Sequence, residues 1–92
     1  MTATIDLLDR GWDVSPGVSI RPESFGALLY HFGTRRLSFL KDPRLLAVVC
    51  LLPTSATARQ ACTSAGLVDE ELPTYARALA TLVDTDMLQE RP

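Results

Sequence analysis

From residue 18 to residue 40 the chain repeatedly alternates between apolar and polar positions. Val18 and Ile20 are interleaved with Ser19 and Arg21, which predicts a short, half-buried strand. Pro22 has no N–H to give to a ladder, so this strand should stop there or lie at a sheet edge. Ser24 to Gly26 allows a reversal into a second strand, Ala27 to Phe32. The turn Gly33-Thr34-Arg35 then leads into a third, Arg36 to Leu40. Connections this short predict an antiparallel meander. One strand of the hairpin should lie at a sheet edge, which raises the question of what pairs with it.

After Lys41 the period changes from two to about 3.6. Asp42 followed by Pro43 predicts a helix start, the carboxylate capping free amides and the proline occupying the first helical position. Leu45, Leu46, Val48, Val49 and Leu52 then recur at helical spacing, and Pro53 ends the run. Ser55 is the candidate cap of a second helix, with Ala56, Ala58, Ala61 and Ala65 allowing close approach and Gly66 as its stop. A third helix is predicted from about Asp69, with Leu72, Tyr75, Ala76, Leu79, Leu82 and Val83 on one apolar stripe. Pro73 fits only in a first turn, so regular helix should begin two or three residues later. Asp69, Glu70 and Glu71 complement the positive end of its dipole.

The predicted class is α+β, a three-stranded antiparallel sheet followed by three helices. Residues 1–15 read as a loosely attached N-terminal arm, its end anchored by Trp12 and Val14. A single domain is expected over 16–90, starting at the Pro16-Gly17 turn.

Composition narrows the function more than the fold. The 92 residues suffice for one modest core, and a hydrophobic content of 47% argues against disorder. A net charge of -2 gives no overall pull toward nucleic acid or an anionic membrane. The longest apolar run, Leu45 to Leu52, is far below the roughly 20 residues of a membrane span. The opening MTATIDLLDR lacks a signal-peptide pattern, so a soluble, cytoplasmic protein with no membrane partner is expected. In that setting Cys50 and Cys62 read as small, buried, reduced residues rather than a disulfide.

Candidate chemistry is sparse. His31 is the one histidine, and it has no matching Ser or Cys constellation. A metal site from His31, Cys50 and Cys62 would need three ligands from separate elements with no tight pair spacing. The five glycines form no phosphate or dinucleotide fingerprint. The expectation is therefore no catalytic residues, no metal and no cofactor: a binding module.

Charge is unevenly distributed. Arg21, Arg35, Arg36, Lys41 and Arg44 cluster around the predicted sheet and first helix, whereas Ala47 onward carries three arginines against six acids. A nucleic-acid-binding winged helix would place its cations on the helix entering the groove, and the second helix offers only Arg59. Arg35 and Arg36 read either as solubilising turn residues or as a dock for an acidic partner.

The run RPESFGALLYHFGTRRLSFLKD, a buried helix, a short second helix and YARALATLVDTDML together resemble a known family. It is that of the small peptide chaperones of mycofactocin biosynthesis, within the PqqD-like group of RiPP (ribosomally made, modified peptide) recognition elements. The resemblance spans Trp12 to Leu88 and implies a winged-helix-like sheet followed by three helices. It also implies that the leader region of a ribosomal precursor peptide adds as a strand beside the third strand, in a groove against the third helix. Carried onto this chain, the peptide-facing strand is Arg35, Arg36, Leu37, Ser38, Phe39 and Leu40. The opposing wall comes from Tyr75, Leu79, Leu82 and Val83. Alternation would bury Leu37 and Phe39 together, but Leu40 is a rival core position, and Tyr75 and Leu79 fit a pure core equally well. The implied partner is a radical S-adenosylmethionine (SAM) maturase acting on the precursor's C-terminal Val-Tyr, beginning with oxidative decarboxylation of the tyrosine. The chaperone itself binds neither iron-sulfur clusters nor the methionine cofactor. The rival expectations are a winged-helix nucleic-acid binder and a domain that self-associates through its edge strands.

Overall fold

A computed structural model describes residues 7–91. Strands β2 (Val18–Glu23), β3 (Gly26–His31) and β4 (Arg36–Leu40) form an antiparallel sheet in the order β2-β3-β4. The register sets Leu29 opposite both Ile20 and Ser38, and Ala27 opposite both Pro22 and Leu40. Gly26 makes the first reversal possible. Its φ of +145° suits glycine, and a Cβ there would overlap the carbonyl oxygen of Leu40.

Helix α1 (Pro43–Leu51) follows almost directly from β4. The Asp42 carboxylate accepts from the backbone N–H of Arg44 at 2.8 Å, and Pro43 sits in the first turn as predicted. Pro53 lies in a short 3-10 turn, Leu52–Thr54, rather than at a clean stop. That turn delays the next helix, so α2 (Ala58–Ser64) is capped by Thr57, whose hydroxyl accepts from Gln60 N–H at 3.1 Å. Ser55, the predicted cap, is instead buried and donates its hydroxyl to the Leu51 carbonyl at 2.8 Å. Gly66, at φ +91°, ends α2 as predicted. Asp69–Glu71 form a 3-10 turn leading into α3 (Leu72–Asp84), with Pro73 in the first helical turn.

Two short strands were not foreseen. β1 (Trp12–Val14) pairs antiparallel with β5 (Leu88–Glu90), Val14 opposite Leu88, to form a separate two-stranded sheet. Residues 1–6 of the expected arm lie outside the described residues. From Leu7 onward the loose attachment is corrected: Leu7, Leu8 and Trp12 are in the core. The Trp12 indole N–H donates to the Leu7 carbonyl at 2.9 Å. The carbonyls of Arg10 and Leu8 accept from Ala58 and Arg59, satisfying N–H groups that the first turn of α2 leaves without helical partners.

A single cluster joins the inner sheet residues Ala27, Leu29 and Leu40 to Val48 and Val49 of α1, Ala61 of α2 and Leu79 of α3. Cys62 belongs to it, and its burial pushes the thiol's pKa up. Cys50 is exposed, contrary to expectation, because it falls on the outer side of α1; both cysteines are free thiols. Among the described residues no helix is long and apolar enough to cross a membrane.

Candidate functional site

The third strand of the meander has a sheet partner on one side only. β4 pairs with β3, and among the described residues no strand meets the alternate main-chain N–H and C=O groups along its other side. The strand's middle, Leu37-Ser38-Phe39, has neither charge nor proline. The opposite edge, β2, is less receptive: Pro22 offers no N–H, and Arg21 pairs with Glu23 at 3.3 Å.

Register decides which way the β4 side chains face. Leu40 lies opposite the fully buried Ala27 and is itself buried, so it takes the core position. Phe39 and Leu37 lie opposite Leu28 and Tyr30 on the outer face and are 59% and 54% exposed. Burial of Leu37 and Phe39 together is thereby overturned in favour of Leu40. Arg35 and Arg36 are exposed, and Ser38 is half-buried. On α3, Tyr75, Leu79 and Leu82 are buried in the core while Val83 is half-buried at its margin. The ten residues of the expected groove therefore divide between an accessible strand and a core that backs it.

A cavity of about 440 Å³ opens where β4 runs into α1. Leu45, Thr74, Tyr75 and Ala78 line it, together with a charged group made of Asp42, Arg44, Glu70 and Glu71. The Tyr75 hydroxyl donates to Asp42 Oδ2, while Asp42 Oδ1 holds the N-terminus of α1. The Arg44 guanidinium meets Glu71 at 2.7 Å and lies 5.5 Å from the centre of the Tyr75 ring. These contacts bind the starts of α1 and α3 to each other.

The same contacts fix the charge states. The Tyr75 hydrogen bond, ahead of the Arg44 backbone N–H, holds Asp42 below the usual carboxylate range. Arg44 does the same to Glu71 and is itself raised by that pair. Burial, followed by the hydrogen bond to Asp42, pushes Tyr75 up. At neutral pH the network is two carboxylates, one guanidinium and a neutral phenol, which is suited to holding geometry rather than to proton transfer. The sequence marks Asp42 and Glu71 as helix-end residues, Arg44 as one of a basic cluster and Tyr75 as groove wall or core, but not the network they form, because Arg44 and Glu71 meet through the fold and not through local spacing.

His31 also has a structural partner set. Its Nδ1 accepts from the N–H groups of Gly33 and Thr34 at 3.0 and 3.2 Å, bracing the hairpin turn. Among the described residues no group of three or more His, Cys, Asp or Glu side chains is placed to hold a metal ion.

A three-stranded antiparallel sheet with one receptive edge, backed by three helices, defines a small α+β binding domain of PqqD-like architecture. Sequence comparison agrees. The profile of the Peptide chaperone MftB family matches residues 11–89, and the chain belongs to that family. It is 52% identical over 83 residues to the peptide chaperone MftB of Mycobacterium tuberculosis (strain ATCC 25618 / H37Rv), covering 90% of this chain and 76% of that protein. The MftB of Mycobacterium ulcerans (strain Agy99) is 52% identical over 80 residues, 87% of this chain and 73% of its own. That of Mycolicibacterium smegmatis (strain ATCC 700084 / mc(2)155) is 48% identical over 80 residues, 87% of this chain and 78% of its own. No solved structure matches the chain significantly. Family membership makes this protein a peptide chaperone and not an enzyme.

Proposed function

We propose that the chain binds the leader of a ribosomally made precursor peptide as a strand along β4 and presents it to a radical SAM maturase in mycofactocin biosynthesis. The observation that carries this reading is the free, proline-free edge of β4 ending at a cavity. An added strand finds main-chain partners there, and alternate side chains find different surroundings on the two sides of the sheet. Residues facing inward approach α3 and the cavity beside Thr74 and Ala78, whereas those facing outward lie next to Leu37 and Phe39. Five paired residues span roughly 17 Å.

In this reading Arg36 to Leu40 provide the main-chain contact, with Arg35 at the turn. Leu40, Tyr75, Leu79 and Leu82 support the groove from the core, and Val83 sits at its margin. Exposed Arg35 and Arg36 steer an acidic leader. The chaperone's contribution to the maturase is effective concentration, which needs no catalytic group of its own.

The test is an NMR titration of the protein with a synthetic mycofactocin precursor peptide, with a scrambled leader as control. Saturable amide shifts from Arg36 to Leu40 and around Thr74 to Ala78 are expected. Absence of shifts in a well-dispersed spectrum overturns the reading, and shifts centred on β2 overturn the choice of edge.

A further inference from the structure

The sheet has an outer face that the peptide reading uses only at its β4 margin, beside Leu37 and Phe39. Residues directly opposed across an antiparallel ladder share a face, so Arg21, Leu28 and Phe39 form one row and Ser19, Tyr30 and Leu37 the next. Phe25 and Phe32 extend this surface at the two ends of β3. The Phe25 and Phe39 rings are 6.2 Å apart, and Tyr30 meets Phe32 edge-on at 4.8 Å. Phe32 is 64% exposed and Phe25 42%, and with Leu37 and Phe39 they are four of the five exposed large apolar residues described. The core lies on the other side of the sheet, behind Ala27, Leu29 and Leu40, so among the described residues no helix covers this face. The exposed apolar area amounts to roughly 400 Å², the size at which a patch is commonly functional.

Charge points to the kind of occupant. Between residues 16 and 41 the chain carries Arg21, Arg35, Arg36 and Lys41 against Glu23 alone, whereas the protein as a whole is at -2. The sheet is therefore a cationic body on an acidic protein. A second copy stacked on the same face would bring like charge against like. The apolar patch is also about half of the roughly 800 Å² that one partner gives to a standard interface, so the rest must come from the cationic surroundings. The complementary surface is apolar at its centre and acidic at its rim.

We infer that the outer face of the β2-β3-β4 sheet docks an acidic-rimmed face of the enzyme that receives the peptide. The inference rests on the proposed function in one respect: it takes that enzyme to be the radical SAM maturase. A strand added to β4 would extend this same face, its outward side chains continuing the row from Leu37 and Phe39. A protein seated there meets chaperone and peptide as one surface.

The test uses the full chain and purified maturase, with affinities measured by calorimetry both without and with precursor peptide. A Phe32→Ser variant removes the most exposed apolar side chain of this face, which packs on Tyr30 of the central strand and not on β4. Arg21→Glu reverses a largely exposed charge on the same face, one that pairs with Glu23 at 3.3 Å, and serves as the second variant should the first fold poorly. Each variant is expected to weaken maturase binding tenfold or more while leaving peptide affinity within twofold, and wild-type binding should weaken with added salt. Unchanged maturase affinity overturns the inference. So does loss of peptide affinity with maturase binding retained, which would assign the face to the peptide. A wild-type dimer that the variants convert to monomer would assign it to a second copy and also overturns it. The peptide-free arm decides the docking face even if the wild-type chain binds no precursor, so the two readings fail separately.

Discussion

Leu79 and Leu37 offer the same chemical perturbation in two environments. Both were expected to line the groove, yet Leu79 is fully buried and Leu37 is 54% exposed. Leu79→Ala removes three carbons from a close-packed site. Their transfer term is about 2.4 kcal/mol at roughly 0.8 kcal/mol per methylene, and the residual cavity raises the total to about 3 kcal/mol. For a domain of this size, that lowers the melting temperature by roughly 12–24 °C. Leu37→Ala opens no cavity and returns less than half of a side chain to water, so its cost should stay below about 1 kcal/mol. Urea melts of both variants measure the stabilities, and titration with the precursor peptide measures the other side of the contrast. A strand added to β4 would touch Leu37, and losing one cross-strand pair worth about 0.2–1 kcal/mol weakens binding by up to roughly fivefold. Leu79→Ala, measured below its melting temperature, should bind like the wild type. The opposite pattern, with Leu79→Ala stable but deficient in binding and Leu37→Ala unfolded, would refute the placement of the core.

Tyr75→Phe should cost about 1 kcal/mol at neutral pH, since the lost hydrogen bond runs to a charged but half-exposed carboxylate. Asp42's pKa is lower folded than unfolded, so its contribution is present above the unfolded value of about 3.9 and fades as pH falls through the folded one. Tyr75 is shifted the other way, so its contribution holds below about 10 and fades as pH rises through the raised folded value. A Tyr75→Phe penalty as large near pH 2 as near pH 7 in urea melts would contradict this coupling. Gly26→Ala should destabilise by at least about 2 kcal/mol, combining backbone strain with overlap on Leu40; thermal melts near wild type would count against the tight reversal. Arg35→Glu with Arg36→Glu should slow association with an acidic leader and flatten its salt dependence, and stopped-flow rates that do not change would remove the steering role.

Local chemistry made much of the fold legible. The hairpin follows from alternation interrupted by Gly33-Thr34-Arg35, α1 from Asp42-Pro43, and α3 from a stripe whose buried members are Leu72, Tyr75, Ala76, Leu79 and Leu82. The β1–β5 pair was not legible, because three residues are too few to show a period and Trp12 meets Glu90 from the far end of the chain. The face of β4 was ambiguous for a different reason. In Arg36-Leu37-Ser38-Phe39-Leu40, both alternation phases contain apolar residues, and only the register against Ala27 selects Leu40 for the core. The candidate site was legible as an edge and not as a cavity. The pairing of Arg44 with Glu71 and of Tyr75 with Asp42 depends on how α1 and α3 meet, which no spacing in the sequence encodes.

The two edges of the sheet are protected by different physical means, and the difference bears on how a peptide chaperone stays selective. On β2, Pro22 removes a donor outright, so a strand approaching there loses a rung of the ladder. β4 keeps all of its donors and is guarded at its ends by Arg35 and Arg36 on one side and Lys41 on the other. Antiparallel pairing of β4 with a second copy would set those arginines against the lysine at both ends. Parallel pairing would set Arg36 beside Arg36. Like charges directly opposed across a ladder are unfavourable, so either arrangement is opposed electrostatically while the hydrogen-bonding edge itself remains intact. An incoming strand with acidic residues at those positions turns the same repulsion into attraction. Proline weakens its edge for every partner, whereas the cations disfavour mainly other copies of this chain and leave theirs open to a strand of opposite charge.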